Sequence, residues 1–210
     1  MARRSSSSDR TLVLATANRA KARELQALLG GIPYRVLDLS DFPSLTLPAE
    51  GEESYEDNAL LKARAVAGAT RTLALADDSG IEVDAFGGLP GVLSARYGGE
   101  GLNDEDRWRL MLRELRDIPP TQRTARYRCV VALCSPDGRE ATTEGVVDGL
   151  IPDAPRGDGG FGYDPIFYYP PLDATFAEVT AEAKHAVSHR GQAMAKARRI
   201  LVEWADEGPA

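Results

Sequence analysis

A short apolar run, Thr11 to Ala15, breaks on Thr16-Ala17-Asn18, after which Leu25, Leu28 and Leu29 recur at helical spacing until Gly30-Gly31 stops the pattern. That order reads as strand, turn and helix, the opening unit of an α/β fold. Ser54 and Asp57 resemble a capping box ahead of an Ala- and Leu-rich helix over Ala59 to Ala69, with Lys62 and Arg64 assigned to its polar side. Leu73 to Ala76 is a strand-length apolar run that stops on Asp77-Asp78-Ser79-Gly80, which places carboxylates at the carboxyl end of a buried strand. Open α/β sheets bind ligands at such ends.

Farther along, the stretch from Gly87 to Gly101 is dense in glycine and holds Pro90, as a loop does. A helix is expected from about Asp104 to Leu115. Thr124 to Leu133 suits a strand with Ala125, Tyr127, Cys129 and Val131 on one face. Pro136-Asp137-Gly138 turns it, and Glu140 to Val147 returns antiparallel, so the sheet is mixed. A long loop covers Pro152 to Pro165, a helix is expected within Leu172 to Ala183, and Gln192 to Ala205 forms a closing amphipathic helix. No internal repeat or linker is visible.

The 210 residues, 43% hydrophobic, fit one domain, taken here as 11–207. A net charge of -7 offers no basic field for a nucleic-acid polymer, while a small anion held with a divalent cation stays compatible. The opening Met1 to Arg10 carries arginine and serine without an apolar stretch, and nowhere does an uncharged run approach the roughly 20 residues of a membrane span. A short disordered tail and a cytoplasmic protein without membrane attachment are expected. Cys129 and Cys134, oddly spaced on one strand, read as reduced core thiols.

Four segments carry candidate chemistry, and each has a plainer reading. Thr16-Ala17-Asn18-Arg19-Ala20-Lys21 lies at a strand-to-helix junction, where free N–H groups, the helix dipole and a lysine favour phosphate; Thr16 or Asn18 could equally be only a cap. Asp77-Asp78-Ser79 places two carboxylates side by side, which suits Mg²⁺ with phosphate, or else an Asx turn. Glu50, Glu52, Glu53, Glu56 and Asp57 form an acidic segment nearby in sequence, from which composition cannot choose a ligand. Arg156 to Pro165 combines glycines with Phe161 and Tyr163, flat faces for a base or a cover for the core edge. Lys184 with Ser188-His189-Arg190-Gly191-Gln192 supplies donors that could bond a purine 6-oxo group, or a simple cap.

Together these segments resemble the inosine triphosphate pyrophosphatase family, from Thr11 to about Ala205. The likeness rests on Thr16 to Lys21, Glu56-Asp57-Asn58-Ala59-Leu60-Leu61-Lys62-Ala63, Ala76 to Gly80, Leu89-Pro90-Gly91-Val92-Leu93-Ser94-Ala95-Arg96-Tyr97, Gly159 to Phe167 and Ser188 to Gly191. Ala183, beside Lys184, stands where that family usually has an acidic residue. The resemblance implies an elongated α/β domain with a long mixed β-sheet flanked by helices, two lobes around a central nucleotide cleft, and a homodimer. It implies Mg²⁺-dependent conversion of ITP, dITP and XTP to monophosphate and pyrophosphate, by attack of water on the α phosphate. It carries Thr16, Ala17, Asn18, Arg19, Ala20 and Lys21 over as phosphate-binding residues, supported by Lys62. Asp78 becomes the general base, and Glu50, Asp77 and Asp78 the metal ligands. Ser79, Phe161, Gly162, Tyr163 and Asp164 become substrate contacts, Phe161 by stacking, with Lys184, His189 and Arg190 reading the oxo edge. The rival readings are a pyrophosphatase for pyrimidine or methylated nucleotides, a nucleotide sensor without hydrolysis, and an RNA-binding module, the last opposed by the acidic charge.

Overall fold

The computed structural model describes residues 10–207. The chain forms two compact units. Of the described residues, the first comprises 10–78, Val130–Glu144 and 193–207; the second comprises Ser79–Cys129 and Gly145–Gln192. Among the described residues the strands are β1 (Thr11–Leu14), β2 (Arg35–Asp38), β3 (Leu73–Val83), β4 (Thr124–Cys134), β5 (Glu140–Leu150), β6 (Tyr168–Tyr169) and β7 (Ala174–Thr175). They make one sheet in the order β2-β1-β3-β4-β5-β6-β7. It is mixed: β1 pairs parallel with β2 and β3, whereas β6 pairs antiparallel with β5 and β7.

In the first unit, β1 lies between β2 and β3, with Leu12 opposite both Val36 and Leu73. A parallel strand covered on both faces must be apolar throughout, and Leu12, Val13 and Leu14 are fully buried. Each such side chain contributes about 1.5–3 kcal/mol. Helix α1 (Arg19–Leu28) starts where Asn18 accepts from the N–H groups of Ala20 and Lys21, at 2.9 and 3.1 Å. Two carbonyls at its far end, Leu28 and Gly30, accept from Arg198, at 2.6 and 2.8 Å, so orphan acceptors there are satisfied. Helix α2 (Tyr55–Thr70) is capped by Ser54, whose hydroxyl accepts from Asp57 N–H at 3.1 Å. Its buried face alternates Ala59, Ala63, Val66 and Ala67 with two polar side chains, Asn58 and Lys62. Lys62 is therefore not on the polar side of the helix, as its charge suggested; the carboxylates described below hold it inside.

The second unit gathers Ile81, Val83, Tyr127, Val147, Ile151, Ile166, Phe167 and Phe176 around Trp108, Met111 and Leu115. Trp108 and Met111 lie on α3 (Asp104–Glu114), which opens with a reciprocal box between Asn103 and Asp106. Helix α4 (Ala181–Val187) is capped by Thr180, and α5 (His189–Glu207) follows after Ser188.

Several expected boundaries move. Strand β3 does not stop at Ala76 but continues through both aspartates to Val83, with Ile81 and Val83 fully buried. No helix fills 172–180, where a 3₁₀ turn ends at Leu172 and β7 follows; α4 begins only at Ala181. Helix α5 starts at His189, not Gln192. The expected tail falls outside the described residues save for Arg10, whose carbonyl accepts from Arg35 N–H at 2.8 Å. Cys129 and Cys134 are buried free thiols, as expected. No helix among the described residues is long and apolar enough to cross a membrane.

Candidate functional site

In the first unit, candidate site side chains gather around β3. Asp77 is fully buried and Asp78 nearly so. A pair of carboxylates in such a place needs cations, and two lysines supply them. Lys21, from the third residue of α1, brings its ammonium within 3.3 Å of Asp77 Oδ2. Lys62, two turns into α2, donates to the Asp77 carbonyl at 2.7 Å and to the Glu50 carboxylate, and lies 4.0 Å from Asp78 Oδ1. Asn58, one turn before Lys62, donates to Asp78 Oδ2 at 2.9 Å. Burial pushes the Asp78 carboxyl above its ordinary range, against the opposing pull of Lys62, Lys21 and the Asn58 hydrogen bond. Burial alone would depress the Lys62 ammonium, but Asp77, Asp78 and Glu50 together hold it above the usual lysine value.

Glu50 thus separates itself from its acidic neighbours: it is the glutamate that reaches Lys62, while Glu56 accepts instead from the Thr142 hydroxyl at 2.8 Å. Glu50, Asp77 and Asp78 are not brought together as a ready-made metal cage, however. Among the described residues no group of three or more His, Cys, Asp or Glu side chains is placed to hold a metal ion. The Lys62 ammonium touches Glu50 and sits near Asp78, so those two carboxylates share one lysine. The donor set still suits Mg²⁺, a hard cation that takes one or two carboxylates and fills its shell with water and phosphate oxygens.

Along the junction before α1, Thr16 is largely buried and its hydroxyl accepts from Asn18 N–H at 3.2 Å, while Ala17, Asn18 and Arg19 are exposed and Ala20 is half-buried. Asn18 is a cap, the plainer of its two readings, and the cap leaves the dipole of α1 positive at the same point.

The second unit carries the aromatic loop and the donor set. Lys184 donates to Asp164 Oδ2 at 2.6 Å with both side chains almost wholly out of solvent. The same oxygen accepts from Phe161 N–H at 2.8 Å, which fixes the loop backbone under the Phe161 ring. Gly160 has φ 71°, and a Cβ there would stand 2.1 Å from Asp164 Oδ2, so only glycine admits the pair at this distance. The Lys184 ammonium and the Arg190 guanidinium lie 4.9 and 5.6 Å from the centre of the Phe161 ring. Arg190 also donates to the Ser79 hydroxyl at 2.8 Å. His189 is stacked on Tyr127, centroids 4.5 Å apart and planes 10° from parallel. Gly162 N–H donates to Asp104 at 2.9 Å.

Tyr163 follows the plainer of the two readings given for the loop aromatics, a cover for the core edge. Its ring is buried in the core, its hydroxyl donates to the Ser94 carbonyl at 2.8 Å, and burial raises its pKa. It anchors the loop and presents no face for stacking, which leaves Phe161. Sequence reasoning also passed over Asn58 and Tyr127, which contact the candidate residues Asp78 and His189. Asn58 sits within the quoted Glu56 to Ala63 motif, but its burial depends on a partner 20 residues away.

The first unit of this α/β protein thus carries lysine-compensated carboxylates on a central strand, a set suited to an anion with a cation, and the second carries a half-buried aromatic ring flanked by buried cations, a set suited to a flat ring. The chain belongs to the Ham1 family, whose model matches residues 12–200. It is 51% identical over 184 residues to the dITP/XTP pyrophosphatase of Geobacter sulfurreducens, covering 88% of this chain and 92% of that one. It is 48% identical over 198 residues to that of Thermus thermophilus, covering 94% and 93%. Its fold is similar to that of the Staphylococcus aureus Ham1 protein, with a TM-score of 0.81 and 36% identity over 95% of this chain and 100% of the other. A nucleoside-triphosphatase, dITP/XTP pyrophosphatase, from Mycobacterium abscessus gives a TM-score of 0.71 at 42% identity, covering 89% and 98%.

Proposed function

We propose that this chain hydrolyses dITP, XTP and ITP to the monophosphate and pyrophosphate with Mg²⁺, removing deaminated purines from the nucleotide pool. The observation that carries the reading is the 51% identity to a dITP/XTP pyrophosphatase over nearly the whole of both chains. The site chemistry agrees with it. Asp78, a buried carboxylate with a raised pKa, suits a general base that takes the proton of the attacking water. Lys21 and Lys62 offer positive charge for phosphate oxygens as negative charge builds on them, and Thr16, Asn18 and the backbone of Ala17, Arg19 and Ala20 offer polar groups at the start of α1. Mg²⁺, when bound through Glu50, Asp77 and Asp78, would neutralise phosphate charge and lower the pKa of a bound water.

Phe161 is proposed to stack on the base, with Gly162 beside it and Ser79 touching the substrate. Asp164 serves through Lys184. Donors on Lys184, His189 and Arg190 meet a 6-oxo acceptor, whereas the 6-amino group of adenine would leave them facing another donor. Buried polar mismatches of that kind discriminate strongly. The reading includes a homodimer working in the cytoplasm on free nucleotides, with no nucleic-acid polymer as partner.

The test is pyrophosphate release from ITP, XTP, dITP, GTP and ATP side by side, with Mg²⁺ and then with a chelator. Fast turnover of ITP, XTP and dITP over ATP and GTP, abolished by chelation, is expected. Absence of pyrophosphate from every triphosphate would replace hydrolysis with nucleotide sensing. Sedimentation of the same preparation checks the dimer.

A further inference from the structure

We propose that Asn58 is a positioning residue that couples the Asp78 carboxylate to the Glu50 segment, a role that rests on the pyrophosphatase reading above. Its amide is buried and makes three hydrogen bonds. Oδ1 accepts from Gly51 N–H at 2.7 Å, and Nδ2 donates to the Gly51 carbonyl at 3.3 Å and to Asp78 Oδ2 at 2.9 Å. The three partners fix which end of the amide is which: an N–H needs the oxygen, while a carbonyl and a carboxylate need the nitrogen.

The consequences run in two directions. Gly51 follows Glu50, so clamping both polar groups of the Gly51 backbone sets where the Glu50 side chain starts, and from there it reaches Lys62. On the other side the Nδ2 bond turns the Asp78 carboxylate so that Oδ1 lies toward Lys62, 4.0 Å away. One side chain thereby holds two of the three carboxylates proposed to bind the metal in a fixed relation. No other residue type matches the pattern at this length. Aspartate keeps the acceptor for Gly51 N–H but sets a carboxylate against Asp78, and alanine removes all three bonds.

The experiment compares the unsubstituted chain with Asn58→Asp and Asn58→Ala in steady-state dITP hydrolysis, thermal unfolding and amide hydrogen exchange at Gly51. Both variants are expected to lose kcat by about 10- to 100-fold with KM within about threefold, on the scale of a catalytic group held off its geometry. Asn58→Asp, nearly isosteric, is expected to lose at least as much as Asn58→Ala. A general loss of packing would instead shrink the folded, active fraction, and a fall in kcat that merely tracks the fall in Tm would overturn the role. Gly51 N–H is expected to lose protection in Asn58→Ala. Asn58→Asp with kcat within twofold of the parent, or Gly51 protection unchanged in Asn58→Ala, overturns the role. If the unsubstituted chain releases no pyrophosphate, it is the functional reading that has failed, and Gly51 exchange still decides the clamp.

Discussion

Lys184 and Asp164 form an ion pair of 2.6 Å whose side chains are 4% and 3% exposed, among the most thoroughly buried charges in the described chain. Burying two charges is favourable only while each compensates the other, and removing one partner strands the second, at a cost of about 3–5 kcal/mol. Lys184→Met is therefore expected to lower stability by about that amount in urea titrations. Adding Asp164→Asn should restore part of it, because the amide oxygen can still accept from Phe161 N–H. A single variant as stable as the parent would mean that the pair is not charged in the folded state.

Asp78→Asn keeps the shape of the side chain and can still offer an oxygen to Asn58 Nδ2, but it cannot take a proton. Turnover is expected to fall by about 10²–10⁴-fold, the range attributed to general bases, while nucleotide binding measured calorimetrically stays within a few-fold. Turnover within tenfold of the parent would move the general base elsewhere.

These sites were unevenly legible in the sequence. Local chemistry was readable: Ser54 and Asn18 act on N–H groups two or three residues away, so their caps follow from short-range pattern. What failed was whatever a distant partner decides. Asp77 and Asp78 read as the end of a strand because adjacent carboxylates are costly inside one, and Lys21, Lys62 and Asn58 help make the continuation to Val83 tolerable. Lys62 reads as solvent-facing from its charge, because the partners that hold it inside lie 12 and 15 residues away in sequence. Phe161 and Tyr163 were equivalent as loop aromatics; the Ser94 carbonyl, 69 residues away, takes the Tyr163 hydroxyl and turns that ring into the core. Phe161 is left half-buried beside Lys184 and Arg190.

Burial pushes the Cys134 thiol up to about 11 from 9.0, with Glu140 adding to the shift and Arg64 opposing it. The folded chain thus keeps this proton over a pH range where the unfolded chain releases it. The stability tied to the group is complete below about pH 9 and is lost as pH rises toward about 11. Urea midpoints across that window should fall more steeply for the parent than for Cys134→Ala, the difference isolating this thiol from tyrosines and lysines that titrate nearby in pH. At neutral pH the folded protein should leave a thiol reagent unconsumed until it is unfolded; equal slopes in the two proteins would contradict the shift.

Phe161 separates affinity from selectivity. The polar groups around its ring, Lys184 and Arg190, are held by their own partners, Asp164 and Ser79. Phe161→Ala should thus remove stacking without displacing the donors proposed to read the base. A stacked base contributes about 1–3 kcal/mol whatever its identity. KM for ITP, XTP and GTP should rise together by roughly 5- to 150-fold, a conversion of that range at 1.4 kcal/mol per decade, leaving the ratio of kcat/KM between ITP and ATP almost unchanged. Steady-state kinetics on the four nucleotides decides the matter. A change in that ratio would mean that the ring orients Lys184 and Arg190 toward the base, and that selectivity depends on the cation contacts at 4.9 and 5.6 Å as well as on the donors themselves.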